Sequence, residues 1–157
     1  MTLATNTFLA GTTDGRVYSY SESAKESKLV EGSTHSNFVS GLASSDKEVY
    51  SIGFDDQVRE ISSDGLTFLC VFLWEFLLVC LDGYKFCRPA TAPTSTQPKS
   101  IAIAGDSTVF IVEIGTVEAF RSNQKLFQQN PLYQPSAVGA RGNLIAIGGE
   151  VRTGTLP

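Results

Sequence analysis

Three polar side chains in the first half of the chain are of the types that hydrolases combine for nucleophilic catalysis. They are His35, Ser51 and Asp55. A serine hydroxyl beside a histidine that a carboxylate orients is the arrangement of a catalytic triad. However, Ser51 does not lie in a Gly-x-Ser-x-Gly turn. The aspartate also recurs at a regular interval along the chain, and this favours a structural origin for the set.

The interval belongs to a repeated pattern of strand, turn and strand. Residues 10–20 align with residues 51–61, which places Asp14 over Asp55 at an offset of 41 residues. A period of about 40–45 residues is typical of one four-stranded blade of a β-propeller. His35 stands 20 residues before Asp55, at the position of the Gly-His element that opens a WD repeat.

This alignment predicts a buried hydrogen-bond network of His35, Ser51 and Asp55, in which the aspartate fixes a tight turn and orients the imidazole. Asp14 is the corresponding turn residue of the preceding blade, and we include it in the same structural network. Ile61 stands where such blades often carry tryptophan. We therefore expect these residues to support the fold, and we assign no catalytic residue.

Two weaker repeats follow. Residues 115–120 align with residues 15–20, so Ile114 takes the place of the turn aspartate, and a fourth repeat begins at Ser136 and lacks its Asp-Gly turn. The sequence thus predicts an all-β fold of about three to four WD-repeat blades, an incomplete propeller. The blades occupy residues 1–65 and 99–157, and the last one is truncated.

An apolar segment separates the second repeat from the third. The interval from Asp55 to Ile114 is 59 residues, 18 more than one period, and residues 66–81 are apolar at 14 of 16 places. We interpret residues 66–88 as an insertion, such as a short intron translated in frame. A helix and a pair of strands are both open as its conformation. A membrane span through residues 66–81 is the alternative, but the run is shorter than about 20 residues and contains Glu75. Residues 89–98, rich in Pro, Thr and Ser, predict a loop.

Composition excludes several classes of function. The 157 residues carry 12 Lys and Arg against 16 Asp and Glu, a net charge of −4. Without a basic cluster we expect no nucleic-acid binding. One histidine and the three clustered cysteines Cys70, Cys80 and Cys87 match no metal-site spacing. No glycine-rich phosphate loop is present, so we expect no cofactor and no enzymatic activity.

Several stretches resemble the middle of the actin-interacting protein 1 family of WD40-repeat proteins. They are residues 9–17, 35–41, 55–59, 97–102 and 137–149. The resemblance covers nearly all of the chain except residues 66–88 and the last seven. It implies part of a protein with two linked propellers that binds actin filaments and, with cofilin, promotes filament disassembly in the cytoplasmic actin cytoskeleton. It identifies no partner-binding residue. The alternatives are a generic WD-repeat scaffold and a small membrane-anchored protein.

Overall fold

The computed structural model describes residues 7–46, 48–62, 67–72, 87–89, 91–122 and 124–151. These residues form fifteen β-strands and no helix. Short runs rich in β-branched and aromatic residues, bounded by Gly, Asp and Ser, explain the strands. The prediction of an all-β fold is confirmed.

The strands form four successive antiparallel sheets, which we number as blades 1 to 4, and one small hairpin. Blade 1 contains β1 (Thr7–Gly11), β2 (Val17–Ser21) and β3 (Glu26–Leu29). Blade 2 contains β4 (Val39–Ser44), β5 (Val49–Gly53), β6 (Gln57–Ile61) and β9 (Thr91–Pro93). Blade 3 contains β10 (Pro98–Ile103), β11 (Val109–Glu113), β12 (Val117–Arg121) and β13 (Gln124–Gln129). Blade 4 contains β14 (Gln134–Arg141) and β15 (Leu144–Glu150), and the hairpin contains β7 (Cys70–Phe72) and β8 (Cys87–Pro89).

Blades 2, 3 and 4 share an irregularity in their first strand. The strand register shifts directly after Val39 in β4, after Pro98 in β10 and after Pro135 in β14. A β-bulge is a specific local structure, and its recurrence at the same place gives a structural alignment of the blades. In this alignment Gly53 of blade 2 corresponds to Glu113 of blade 3.

The hydrophobic core lies between the blades. Side chains alternate along each strand, so a blade covered on both sides presents two apolar faces. One cluster joins blades 1 and 2 and consists of Leu9, Val17, Val30, Val39, Val49, Ile61 and Phe68. A second joins blades 2 and 3 and consists of Ala43, Tyr50, Ile52, Val58, Ala92, Ile101, Val109, Ile111 and Phe120. Because each buried aliphatic side chain contributes about 1.5–3 kcal/mol, the blades stabilise one another.

The outer strand of blade 2 is formed by two separate pieces of the chain. Phe68 lies opposite Ile61, and the Leu69 amide donates to the Glu60 carbonyl at 2.9 Å. An uninterrupted strand would place residue 70 opposite Arg59, but Thr91 lies there, so 21 residues are extra. The chain therefore leaves the blade after residue 69 and returns at residue 91.

This geometry revises the predicted boundaries of the insertion and the loop. The buried Phe68 belongs to the blade, whereas we had expected the insertion over residues 66–88. The described ends of the insertion, β7 and β8, pair with each other as strands, and residues 73–86 lie outside the described residues. The loop predicted over residues 89–98 is wrong for Thr91–Pro93, which form β9. Proline is tolerated there because an edge strand does not need every amide.

The membrane alternative depends on residues 66–81, most of which lie outside the described residues. Within the described part of the chain, no helix has the length and hydropathy that crossing a bilayer requires.

Candidate interaction site

The loops at one end of blades 1 to 3 form a continuous row. Each is joined by backbone hydrogen bonds to a segment of its own blade or of a neighbouring one. From amide to carbonyl these bonds are Val39 to Thr12 at 3.1 Å, Phe54 to Phe38 at 2.8 Å, Thr94 to Asp56 at 3.0 Å and Ile114 to Gln97 at 3.2 Å. We name this surface the turn end and define it as residues 12–16, 36–38, 54–56, 94–97 and 114–115.

The turn of blade 1 packs directly on the backbone of blade 2. Gly15 has φ +87°, and a Cβ at this position would lie 2.2 Å from the carbonyl oxygen of His35. Both the positive φ and the lack of space require glycine. The Asp14-Gly15 turn therefore fixes the segment that leads into blade 2.

The structure brings His35, Ser51 and Asp55 together. The imidazole Nδ1 lies 2.7 Å from Asp55 Oδ1, and Nε2 lies 2.8 Å from Ser51 Oγ. The Ser36 amide donates to Asp55 Oδ2 at 3.1 Å. The side chain of His35 has no exposed area, and Ser51 is also fully buried.

Arg59 completes this network, and the sequence analysis did not identify it. Its Nη2 donates to Asp55 Oδ2 at 3.3 Å, and its Nη1 donates to the Ser33 carbonyl at 3.2 Å. A cation four residues after the turn aspartate, on the strand that pairs with Ser51, was the available signal. The guanidinium links the turn to the segment that precedes His35.

Burial lowers the pKa of His35, although the Asp55 carboxylate opposes this change. The imidazole is therefore neutral at pH 7, so Nδ1–H donates to Asp55 and Nε2 accepts from the Ser51 hydroxyl. Burial acts to raise the pKa of Asp55, but the hydrogen bonds from His35 and the Ser36 amide outweigh it and the pKa is lowered. The pattern equals that of a catalytic triad, yet substrate has no access to the buried Ser51 hydroxyl.

Asp14 does not join a buried network. Its side chain is 58% exposed, accepts a hydrogen bond from the Thr12 hydroxyl and lies 3.4 Å from Arg16 Nε. These contacts lower the pKa of Asp14, the Thr12 hydrogen bond most strongly. Our expectation that it belongs to the same network as Asp55 is corrected, because within the described residues the His35 imidazole bonds to Asp55 and Ser51 and not to Asp14.

Blade 3 places two glutamates where blade 2 has its network. In the bulge alignment, Glu118 corresponds to Arg59 and Ile111 to Ser51. Glu113 and Glu118 are both fully buried. Glu113 Oε2 accepts from the Thr96 amide at 2.7 Å and from the Thr96 hydroxyl at 2.9 Å. Glu118 Oε1 accepts from Lys125 Nζ at 2.6 Å and from the Ser95 hydroxyl.

The remaining two oxygens of the pair, Glu113 Oε1 and Glu118 Oε2, are buried and accept no hydrogen bond from the residues that the structure describes. Burial and then the neighbouring Glu118 raise the pKa of Glu113 to about 7. Burial also acts to raise the pKa of Glu118, but Glu113, Lys125 and Ser95 together lower it. The sequence analysis missed this pair. The available signal was that Glu113 follows Val109 and Ile111 at alternate positions of β11, so it shares their buried face.

The exposed part of the turn end combines apolar and charged groups. Ile114 is 47% exposed, and the half-buried rings of Phe38 and Phe54 are in edge contact with centroids 5.0 Å apart. In the blade 1 part of the turn end, Asp14 and Arg16 are exposed. Among the described residues, no three His, Cys, Asp or Glu side chains converge as a metal ion would require. The arrangement is suited to contact with a protein surface.

Known structures with this fold are WD40 propellers. The WD40 β-propeller domain of Doa1 matches with a TM-score of 0.68 at 15% identity, over 94% of this chain and 45% of that one. The structure of U3-55K matches with a TM-score of 0.67 at 12% identity, over 91% and 42%. The propeller domain of Cps50 (Swd1) from Myceliophteria thermophila matches with a TM-score of 0.65 at 14% identity, over 95% and 46%.

The chain thus spans less than half the length of these propellers, and the prediction of an incomplete WD-repeat propeller is confirmed. No protein-family model matches the chain, and no curated protein matches it. At these identities the likeness shows the fold alone, and it leaves the actin-interacting protein 1 resemblance as a hypothesis.

Proposed function

We propose that this chain is a non-catalytic protein-interaction scaffold that contacts its partner through the turn end. The observation that carries the proposal is the row of hydrogen-bonded loops with exposed Ile114 above two buried polar networks. A surface held rigid before binding loses little conformational entropy when a partner docks. The burial of Ser51 supports a role other than catalysis.

The partner we propose is the actin filament, with cofilin as the second component and filament disassembly in the cytoplasm as the outcome. Support comes from the residues that carry the family resemblance. Four of those five stretches, residues 9–17, 35–41, 55–59 and 97–102, contribute to the turn end. The resemblance and the candidate surface therefore coincide.

Co-sedimentation of the full chain with actin filaments, with and without cofilin, tests the proposal. Ile114→Arg places a charge in the blade 3 part of the turn end and should weaken binding by about tenfold or more, as is typical for an interface hot spot. Leu126→Arg is the matched control, because Leu126 is 51% exposed on the outer strand of the same blade. This control should bind like the wild type.

Two outcomes would contradict the proposal at different levels. If the folded wild-type chain does not pellet with filaments, the actin assignment is wrong. If both variants lose binding equally, actin binding stands but the turn end is not the contact surface. Circular dichroism of each variant separates loss of binding from loss of folding.

A further inference from the structure

The buried pair Glu113 and Glu118 has an unbalanced hydrogen-bond inventory. If both groups are ionised, Glu113 Oε1 and Glu118 Oε2 are buried acceptors without a donor. Among the described residues, Lys125 is the cation that contacts the pair, and it donates to the opposite oxygen of Glu118. Burying two adjacent negative charges against one positive charge is costly. A single proton between the two carboxyl groups would remove the excess charge and satisfy both oxygens.

We propose that Glu113 and Glu118 share one proton, and that this proton closes a latch that fastens residues 94–97 to blade 3. The amide and the hydroxyl of Thr96 both donate hydrogen bonds to Glu113, and the Ser95 hydroxyl donates to Glu118. Residues 94–97 connect β9 to β10, so they carry the chain from the interrupted outer strand of blade 2 to the inner strand of blade 3. The Thr96 donors by themselves favour ionised Glu113, but burial and the neighbouring Glu118 outweigh them. Loss of the proton would therefore leave two buried negative charges, and opening of residues 94–97 would relieve this cost by exposing the charges to water.

The groups that face the pair come from three directions. Strands β11 and β12 supply the two glutamates themselves. Strand β13 supplies Lys125 and, at the Ser95 hydroxyl, the uncharged Gln128. Residues 94–97 supply the hydroxyl and amide donors, all uncharged. Lys125 is thus the charged neighbour that biases the pair, and it favours ionisation of Glu118.

The sign of the pH dependence follows from the direction of the change. Burial raises the pKa of Glu113 from 4.5 to about 7 in the folded chain. A group whose pKa is raised by folding contributes stability that is complete below its unfolded pKa and is lost as the pH rises through the folded pKa. The latch is therefore strongest in acidic solution, weakens as the pH rises above about 4.5 and reaches its weakest state just above pH 7.

Hydrogen exchange of the Thr96 amide in the full chain measures the latch directly, because this amide donates to Glu113 Oε2. After correction for intrinsic exchange, its protection should fall about tenfold from pH 6 to pH 8. In Glu113→Gln the amide group imitates the protonated acid, so protection should be the same at both pH values. Glu150→Gln, at an exposed position on β15, is the control and should fall like the wild type.

Three results would overturn the proposal. One is wild-type protection of Thr96 that does not change between pH 6 and 8. The second is recovery of protection at pH 8 on addition of Mg²⁺ or Ca²⁺, which would identify a cation site. The third is the absence of a glutamate that titrates near pH 7 in carboxyl carbon NMR of the wild type. This NMR measurement decides the question if Glu113→Gln does not fold. These measurements use the chain without actin, so a failure of the latch is distinguishable from a failure of actin binding in co-sedimentation.

Discussion

Blades 2 and 3 fill the same position in the fold with opposite chemistry. Blade 2 uses a neutral histidine between a hydroxyl and a carboxylate, with Arg59 beside them. Blade 3 uses two carboxyl groups with Lys125 beside them. In blade 2, Gly53 leaves space for the imidazole, since a Cβ there would lie 2.5 Å from His35 Nδ1, whereas blade 3 has Glu113 at that position. The difference teaches that the same backbone position can hold buried polar networks of unlike chemistry.

The two networks respond to pH in opposite directions. Burial lowers the pKa of His35, so the contribution of blade 2 is present above the unfolded histidine pKa of about 6.5 and is lost as the pH falls below it. The raised pKa of Glu113 makes the contribution of blade 3 decrease as the pH rises toward 7. Where the two pH ranges overlap, the gain in blade 2 offsets the loss in blade 3, so the stability of the chain changes less with pH than either network alone would make it change.

Removing the turn carboxylate of blade 2 should have the largest effect. Asp55→Ala leaves His35, the Ser36 amide and Arg59 without their shared acceptor, and it should lower the free energy of unfolding by about 3–5 kcal/mol. Urea denaturation measures it. Asp14→Ala, at the aligned but exposed turn of blade 1, should change stability far less. If both variants lose the same free energy of unfolding, the buried network of blade 2 contributes no more stability than the exposed turn of blade 1.

The contact between blades 1 and 2 comes next. Gly15→Ala adds a methyl group that would meet the His35 carbonyl at 2.2 Å, and it should cost about 2–3 kcal/mol. Gly142→Ala is the matched control, because Gly142 also has a positive φ, +57°, but has open space around it. This control should cost only about 1 kcal/mol. Similar values in thermal or urea unfolding would mean that strain in φ, and not the contact, requires glycine at position 15.

Neutralising the cation of blade 3 should have the smallest effect on stability. Lys125 is partly exposed but pairs with the fully buried Glu118, so Lys125→Gln should cost about 1–2 kcal/mol. It should nevertheless raise the pH at which Thr96 loses protection, because the carboxyl pair ionises less readily without a positive neighbour. Lys28→Gln, on exposed β3, should leave that midpoint unchanged. If the midpoint does not move in Lys125→Gln, Lys125 does not influence the ionisation of the carboxyl pair.

The sequence predicted the network of blade 2 because His35, Ser51 and Asp55 are unusual residue types at the spacing of a known repeat. It predicted the role of Asp14 wrongly, since burial of a turn residue depends on whether a histidine from a neighbouring segment covers it. It missed Glu113 and Glu118, because an isolated glutamate in a strand normally indicates a solvent-facing side chain. Each difference concerns burial, which a one-dimensional pattern reports only indirectly.

The sequence by itself determined the blade period and the strands on either side of the Asp14 and Asp55 turns, because alternation of side chains and turn-forming residues act over a few neighbouring positions. Only the tertiary structure decided where the insertion interrupts its blade, since pairing of Phe68 and Thr91 with β6 assigns residues 70–90 as the extra ones. It also decided that the carboxyl pair of blade 3 is buried. Strand register and burial arise from contacts between distant parts of the chain, and these contacts set both the limits of each blade and the ionisation of the groups inside it.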